Sequence, residues 1–311
     1  MAGSSKKVIF AALIGNTLIA ITKFAAASIT NSSAMLSEGI HSLVDTGNQI
    51  LLLYGLKRAQ KPADEMFPFG HGKEVYFWSF VVAILVFAVG AGVSLYEGIH
   101  RVIHPQPVTD IYINYIVLGL AILFEGGAWY FAVKEFSKQK GQLNYISAVQ
   151  RGKDPSIFVV LFEDSAALLG LFVALVALLL GQWTGNIYLD GVASIIIGLI
   201  LAGTAIWLAY ETKSLLIGER ANSQVIEGIR NIVMQSPNVS NVNEIATMHM
   251  GPNFVLVNVS LDMEDQVLSR DIKTGITNMT QQIKQSYPNV KRVFIEIESS
   301  ERHTPGYSNG R

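Results

Sequence analysis

Six stretches of this chain approach the length and apolarity needed to cross a bilayer as a helix, which takes about 20 mostly apolar residues. They run roughly from Val8 to Ile29, Ala34 to Leu56, Val75 to Ile99, Ile111 to Val133, Ile157 to Leu180 and Ile187 to Tyr210. Lipid offers no partner to backbone N–H and C=O groups, so such stretches are committed to helix. The charge distribution agrees. Met1 to Glu219 holds 14 Lys/Arg and 15 Asp/Glu, about 13% of that part, whereas Arg220 to Arg311 holds 9 and 9, about 20% and near the soluble norm. The expectation is an all-α six-helix transmembrane bundle over residues 8–212. A short tail, 1–7, precedes it. A small soluble α+β domain over 213–300 and a flexible tail, 301–311, follow.

Lys and Arg in the connections set the orientation. Lys6 and Lys7 precede the first run. Lys57, Arg58, Lys61 and Lys73 follow the second, and Lys134, Lys138, Lys140, Arg151 and Lys153 follow the fourth. The alternate connections carry almost none. Both termini are therefore expected in the cytoplasm, with the bacterial inner membrane as the expected location. Met1 to Lys7 is too short and polar for a typical cleaved signal peptide. A net charge of −1 gives no electrostatic case for nucleic acid. The absence of cysteine excludes disulfides, thiolate metal sites, iron–sulfur clusters and cysteine nucleophiles.

In the soluble part, Ser223 can cap a helix to about Gln235, with Val225, Ile226, Ile229, Ile232 and Val233 as its apolar stripe. Val239 to Met250 and Phe254 to Met263 alternate as strands around a Gly251-Pro252-Asn253 turn. A helix from about Leu268 to Gln285 stops before Pro288, and Val293 to Ile297 reads as a third strand. The order αββαβ implies a three-stranded sheet with two helices on one face.

The second apolar run is unusual. Glu38, His41, Asp45 and Asn48 are spaced by three, four and three, so one helical face carries all four. An Asp at the centre of a spanning helix costs on the order of 2.5–3.5 kcal/mol on insertion scales, so such groups face a cavity, a partner or an ion. The fifth run adds Glu163 and Asp164. An imidazole with two or more carboxylates from two helices suits a divalent first-row metal. The plainer alternative is a hydrogen-bonded pair that holds helices together. Glu163 and Asp164 point about 100° apart, so one is a ligand and the other a neighbour of the site.

These residues resemble the cation diffusion facilitator family, dimeric zinc-type transporters. The resemblance rests on Ser37-Glu38-Gly39-Ile40-His41-Ser42-Leu43-Val44-Asp45, on Phe69-Gly70-His71-Gly72-Lys73, on Asp164, and on Asp190-Gly191-Val192-Ala193-Ser194. It implies six spans and a ferredoxin-like, metallochaperone-like cytoplasmic domain. It also implies a four-ligand transport site, with two residues from helix two and two from helix five, each pair four apart. His41, Asp45 and Asp164 match. The fourth position is Val160, which cannot bind metal, leaving Glu163 (preferred), Asn48 or a water.

The resemblance also points to secondary places. Asp64, Glu65 and His71 stand where some members bind metal after helix two, although Phe67 replaces a usual His, and a solvated turn is the favoured reading. In the soluble domain only His249, Glu296 and Glu298 remain of the family's intersubunit zinc ligands, which favours a domain dimer stable without metal. Lys73 resembles one half of an intersubunit-region charge interlock, with Glu219 the nearest acidic candidate.

The function implied is export of a divalent cation, Zn²⁺ first, in exchange for protons by alternating access. Its partners are a second copy, the ions and the bilayer, and it needs no fixed cofactor. Rivals are the same architecture moving Fe²⁺, Mn²⁺ or Co²⁺, and a metal-binding sensor or scaffold without flux. An intramembrane metalloprotease lacks its His-Glu-x-x-His stretch. Three features have ordinary explanations: Lys23 snorkelling to the interface, Glu125 as cavity or packing residue or proton carrier, and Gly90-Ala91-Gly92 as a packing surface.

Overall fold

The computed structural model describes residues 2–140, 144, 155–301 and 303. Arg151, Lys153 and the expected tail beyond residue 303 lie outside the described residues, apart from this point. Among the described residues six long helices come first: α1 Ala2–Thr30, α2 Ser33–Ala59, α3 Glu74–Ile103, α4 Ile111–Lys140, α5 Pro155–Thr184 and α6 Leu189–Ile217. Five of them, all but α2, are long and apolar enough to cross a membrane. The molecule is a mostly helical membrane protein with a small C-terminal sheet domain. Helix α1 begins at Ala2, inside the expected tail, because neither Lys6 nor Lys7 stops a helix.

By internal packing the chain forms two units. One holds Met1–Lys61 and Glu74–Lys213, and the other holds Pro62–Lys73 and Ser214–Arg311. The connection between α2 and α3 thus belongs to the C-terminal unit, whereas the sequence alone had grouped it with the helices. The reason is local close approach: Gly72 lies against the Met250 carbonyl and Gly251, where any side chain would collide.

Within the helical unit, buried alanines and branched residues from all six helices form one core, including Ala26, Met35, Val86, Leu118, Leu171, Ile197 and Leu201. Helices α3 and α6 meet through glycine. A Cβ on Gly98 would lie 2.7 Å from Ile195 Cγ1, and one on Gly198 would lie 2.7 Å from Leu95 Cγ. Small residues are what allow helix backbones to approach so closely in lipid. Midway, α3 passes through a π-helical segment, Val86–Ala91, which contains Gly90 and is followed by Gly92.

The C-terminal unit contains α7 Ser223–Met234, β1 Val239–Gly251, β2 Phe254–Met263, α8 Ser269–Ser286 and β3 Val290–Ile297. The sheet order is β1-β2-β3, with β1 and β2 antiparallel and β2 and β3 parallel. Alternate residues of β2, Val255, Val257, Val259, Leu261 and Met263, are buried with Ile229 and Val233 of α7 and Met279 and Ile283 of α8 in one core. The period-two pattern of the strand and the 3.6 period of the helices therefore feed the same interior. Asn222, not Ser223, is the residue at the α7 N-cap, and it makes no side-chain cap bond. Gly218 ends α6 with φ of 126°, a backbone angle that a side-chain-bearing residue rarely adopts.

Candidate metal centre

Helix α2 starts under unusual restraint. Asn31 leaves α1 with a positive φ of 59°, and Ser32 caps α2 by accepting from Met35 N. Asp190, at the start of α6, then accepts from Ser32 Oγ (2.6 Å), Ser33 N (2.6 Å), Ser33 Oγ (2.7 Å) and Ala34 N (3.3 Å). A carboxylate on orphan N–H groups at a helix start satisfies donors and complements the helix dipole. Arg101 Nε lies 3.7 Å from the same carboxylate, and its guanidinium donates to the Asn31 carbonyl. The end of α2 nearest the polar stripe is thereby fixed to α3 and α6.

One and a half turns further on, the expected face is assembled. Glu38, His41, Asp45 and Asn48 are all buried, at 0–3% exposure. His41 Nε2 and Asp45 Oδ2 approach to 3.1 Å across one turn. The approach is not a hydrogen bond: both His41 ring nitrogens and Asp45 Oδ1 are buried without a hydrogen-bond partner, as are Asn48 Oδ1 and Gln49 Oε1. Leaving such a group unmade costs about 1–3 kcal/mol each. A set of them on one helix face calls for a water, an ion or a partner group to be met there.

Helix α5 brings the acidic pair alongside. Asn48 Nδ2 donates to Glu163 Oε1 at 2.8 Å, and Glu163 and Asp164 are 3% and 7% exposed. Asp45 lies within electrostatic reach of Glu163, Glu125 and Asp164. The structure joins the predicted ligands as pairs, His41 with Asp45 and Asn48 with Glu163. Among the described residues, no group of three or more His, Asp and Glu closes on one point as a metal shell would. Two causes are visible. Successive residues on α5 diverge by about 100°, and Glu163 is drawn to Asn48.

Lys23 overturns its expectation. Rather than snorkelling, it is fully buried, donating to Glu38 Oε2 (3.1 Å) and Ser42 Oγ (2.8 Å), with Glu125 Oε1 at 3.9 Å. It lies seven residues before the end of α1, about 10 Å along the axis, and a carboxylate on the next helix takes its ammonium inside the bundle. No local pattern announces this, since the partner is 15 residues away and on another helix.

The secondary places fare differently. Asp64 and His71 meet at 2.9 Å, but Glu65 is exposed and takes no part. Hydrogen bonds from His71 and from the Phe67 N–H hold the Asp64 carboxyl below its ordinary range. Lys73 Nζ reaches the Leu216 carbonyl (3.4 Å) and Met248 Sδ (3.6 Å), and burial lowers its pKa. Glu219 uses its carbonyl to accept from His249 N. His249, Glu296 and Glu298 are not one site within a chain. His249 pairs with Val255 and Glu296 with Ser260, five residues along β2, or about 16 Å at the rise of a strand. Glu298 instead binds His303 Nδ1 at 2.8 Å, and Glu244 lies 3.6 Å from Nε2. Sequence reasoning had left His303 in the tail, for an isolated His without periodicity carries no signal.

Comparison with known proteins bears on what this arrangement does. The family model described as cation efflux transmembrane domain matches residues 9–217, and the one described as cation efflux protein, cytoplasmic domain, matches residues 221–300. The chain is 30% identical over 284 residues to the human protein named proton-coupled zinc antiporter SLC30A9, mitochondrial, covering 90% of this chain and 50% of that one. It thus spans about half the length of the first curated relatives it matches. It is 24% identical over 305 residues to manganese efflux system protein MneP of Bacillus subtilis (94% and 95% covered). It is 25% identical over 252 residues to cation-efflux pump FieF of Escherichia coli (81% and 78%). Relatives named as mitochondrial give the bacterial inner membrane no support, while a membrane location stands.

Proposed function

The chain belongs to the cation efflux, or cation diffusion facilitator, family, and on that premise we propose that it exports a divalent cation in exchange for protons. The observation that carries the proposal is the buried His41–Asp45 pair, whose ring nitrogens and Oδ1 have no hydrogen-bond partner, set beside the acidic pair of α5. In this reading α2 is the sixth span. It falls short of the others in apolarity in part because its buried face serves the ion, and both termini lie in the cytoplasm. His41, Asp45 and Asp164 hold the cation. Glu163 completes the shell in place of a ligand at Val160. This requires it to exchange its Asn48 contact for the ion, and the two acidic side chains of α5 to bend towards each other against their divergence of about 100°.

The chemistry is competition. A dication needs a neutral imidazole and ionised carboxylates, so protons and metal exclude each other at these groups. Rocking of the helices exposes them to one side and then the other. Zn²⁺ suits an imidazole–carboxylate set and matches the name of the human relative. The manganese relative supports Mn²⁺ as the second reading, and a calorimetric competition series on the purified protein separates the two. The cytoplasmic-domain match supports a homodimer, with Lys73 and Glu219 joined in its charge interlock.

The deciding experiment is a proteoliposome assay of dication flux driven by a pH gradient. The wild-type chain is expected to show flux and the His41→Ala/Asp45→Ala double variant none. Undiminished flux in the double variant, or binding without flux in the wild type, removes the proposal, the latter in favour of a sensor.

A further inference from the structure

The cation-site residues are not the only charged groups inside the helical unit. Lys23 of α1, Glu38 and Ser42 of α2, and Glu125 of α4 form a second cluster, with Lys23 at 0% and Glu38 and Glu125 at 0–1% exposure. One ammonium there faces two carboxylates. Glu38 Oε1 and Glu125 Oε1 accept no hydrogen bond, so neither carboxylate is fully served. On its far side Glu38 Oε1 rests against Gly170 of α5, in space that any side chain would fill. The cluster thus joins α1, α2, α4 and α5, and α2 and α5 are the two helices that carry the proposed ligands.

Its position on α2 is the telling feature. Glu38 is three residues before His41, and Ser42 is three before Asp45, so Lys23 is clamped to the same helix face as the His–Asp pair. Lys23 lies within electrostatic reach of both His41 and Asp45. Purely structural stapling would be served by one carboxylate per ammonium. Here the fixed charge is shared between Glu38 and the surplus acid of Glu125, against the α2 face that carries the pair proposed to bind the cation.

Resting on the transport reading above, we propose that Lys23 is a positioning residue that acts as a built-in competitor of the transported dication. Its ammonium supplies the positive charge that the carboxylates of α2 and α4 need when no dication is bound, and it repels the dication once bound. The site then binds weakly enough to let the cation go. Two opposite faults are avoided: carboxylates left uncompensated in lipid, and a cation held too tightly to leave.

The test uses the full-length purified protein and Zn²⁺ alone as probe, with binding read by calorimetry and flux by the proteoliposome assay. Lys23→Met is expected to bind Zn²⁺ about tenfold more tightly or better and to transport it more slowly, tenfold being 1.4 kcal/mol. Lys23→Arg, which keeps the charge, is expected to stay near wild type in both. A merely structural lysine predicts the reverse for Lys23→Met: looser binding or none. Should Lys23→Met fail to fold, Lys23→Gln keeps a donor for Ser42 without the charge and carries the same expectation. Glu125→Gln leaves the ammonium but removes one of its carboxylates, and it should loosen Zn²⁺ binding. Unchanged affinity in the folded neutral variants, or in Glu125→Gln, overturns the inference while leaving transport intact. Absence of Zn²⁺ binding in the wild type overturns the transport reading itself, and the inference with it.

Discussion

Among the described residues two His–Asp pairs have nearly equal separation, one inside the helical unit and one outside it. His41 and Asp45 lie 3.1 Å apart with side chains 2% and 5% exposed, whereas His71 and Asp64 lie 2.9 Å apart with the Asp side chain 53% exposed. The outer pair is a closed account of hydrogen bonds. Asp64 accepts from His71 and from Phe67 N, and the Phe67 carbonyl takes the N–H of both Asp64 and Gly70. The inner pair leaves its ring nitrogens and one carboxylate oxygen without a hydrogen-bond partner. The same two side chains therefore serve a turn in one place and, in the proposal above, meet an ion in the other. Burial and unmet valence, not residue type or spacing, separate them.

The most direct way to break that comparison is to neutralise the acid of each pair in turn. Asp45→Asn should lower dication affinity and flux by at least the 10–100-fold seen when even an outer partner of a metal ligand is lost. Asp64→Asn removes a pair whose acid is exposed and screened by solvent, and should change flux by less than about fivefold. Equal losses in the two variants, measured as initial proteoliposome rates per folded protein, would mean that the outer pair is also on the cation's path.

A smaller effect tests whether the inner pair depends on how α2 is held. Asp190 receives four hydrogen bonds from residues 32–34, and loss of a capping carboxylate costs about 0.5–2 kcal/mol. Asp190→Asn should lower unfolding stability by about that much. It should leave Zn²⁺ affinity within about tenfold of wild type, because the 3.1 Å approach is internal to α2. A large affinity loss without a stability loss would show instead that the pair is positioned from α6.

These contrasts also show which parts of the molecule a sequence carries in readable form. The face holding Glu38, His41, Asp45 and Asn48 follows from helical spacing alone, and the structure buries all four. The strands around Gly251 were legible because alternation is a local property, and so were α7 and α8. What stayed hidden depends on distance in the chain. Lys23 turns inward to a partner 15 residues on, and Asp190 caps a helix 157 residues before it. The separation of His249 from Glu296 is a matter of strand register. The sixth span was read from Ala34 to Leu56 despite its polar residues; by composition the structure credits only the other five helices. Part of that shortfall comes from His41 and Asp45, the two α2 residues proposed to meet the ion, and the rest from other polar residues such as Glu38, Gln49, Lys57 and Arg58.

The smallest expected effect is the acid response of the outer pair, whose sign follows from its hydrogen bonds. His71 first, and then the Phe67 N–H, hold the Asp64 carboxyl below its ordinary value. A carboxyl depressed in the folded state stabilises fold above its unfolded value, about 3.9 for Asp. That contribution is lost as pH falls through the lower folded value. The turn over residues 64–71 should therefore stay closed at neutral pH and open only in strong acid. Exchange of the Phe67 and Gly70 amides with solvent, followed from pH 6 down to pH 2, is the measurement. Protection should fall at the acid end in the wild type, whereas Asp64→Asn should begin with weaker protection and show little further change. Because the Asp64 side chain is about half in water, solvent screens the effect to a local one. The cooperative unfolding of the C-terminal unit should be unmoved by Asp64→Asn over the same range. If it moved with Asp64, the outer pair would be more than a turn, and its contrast with His41 and Asp45 would narrow.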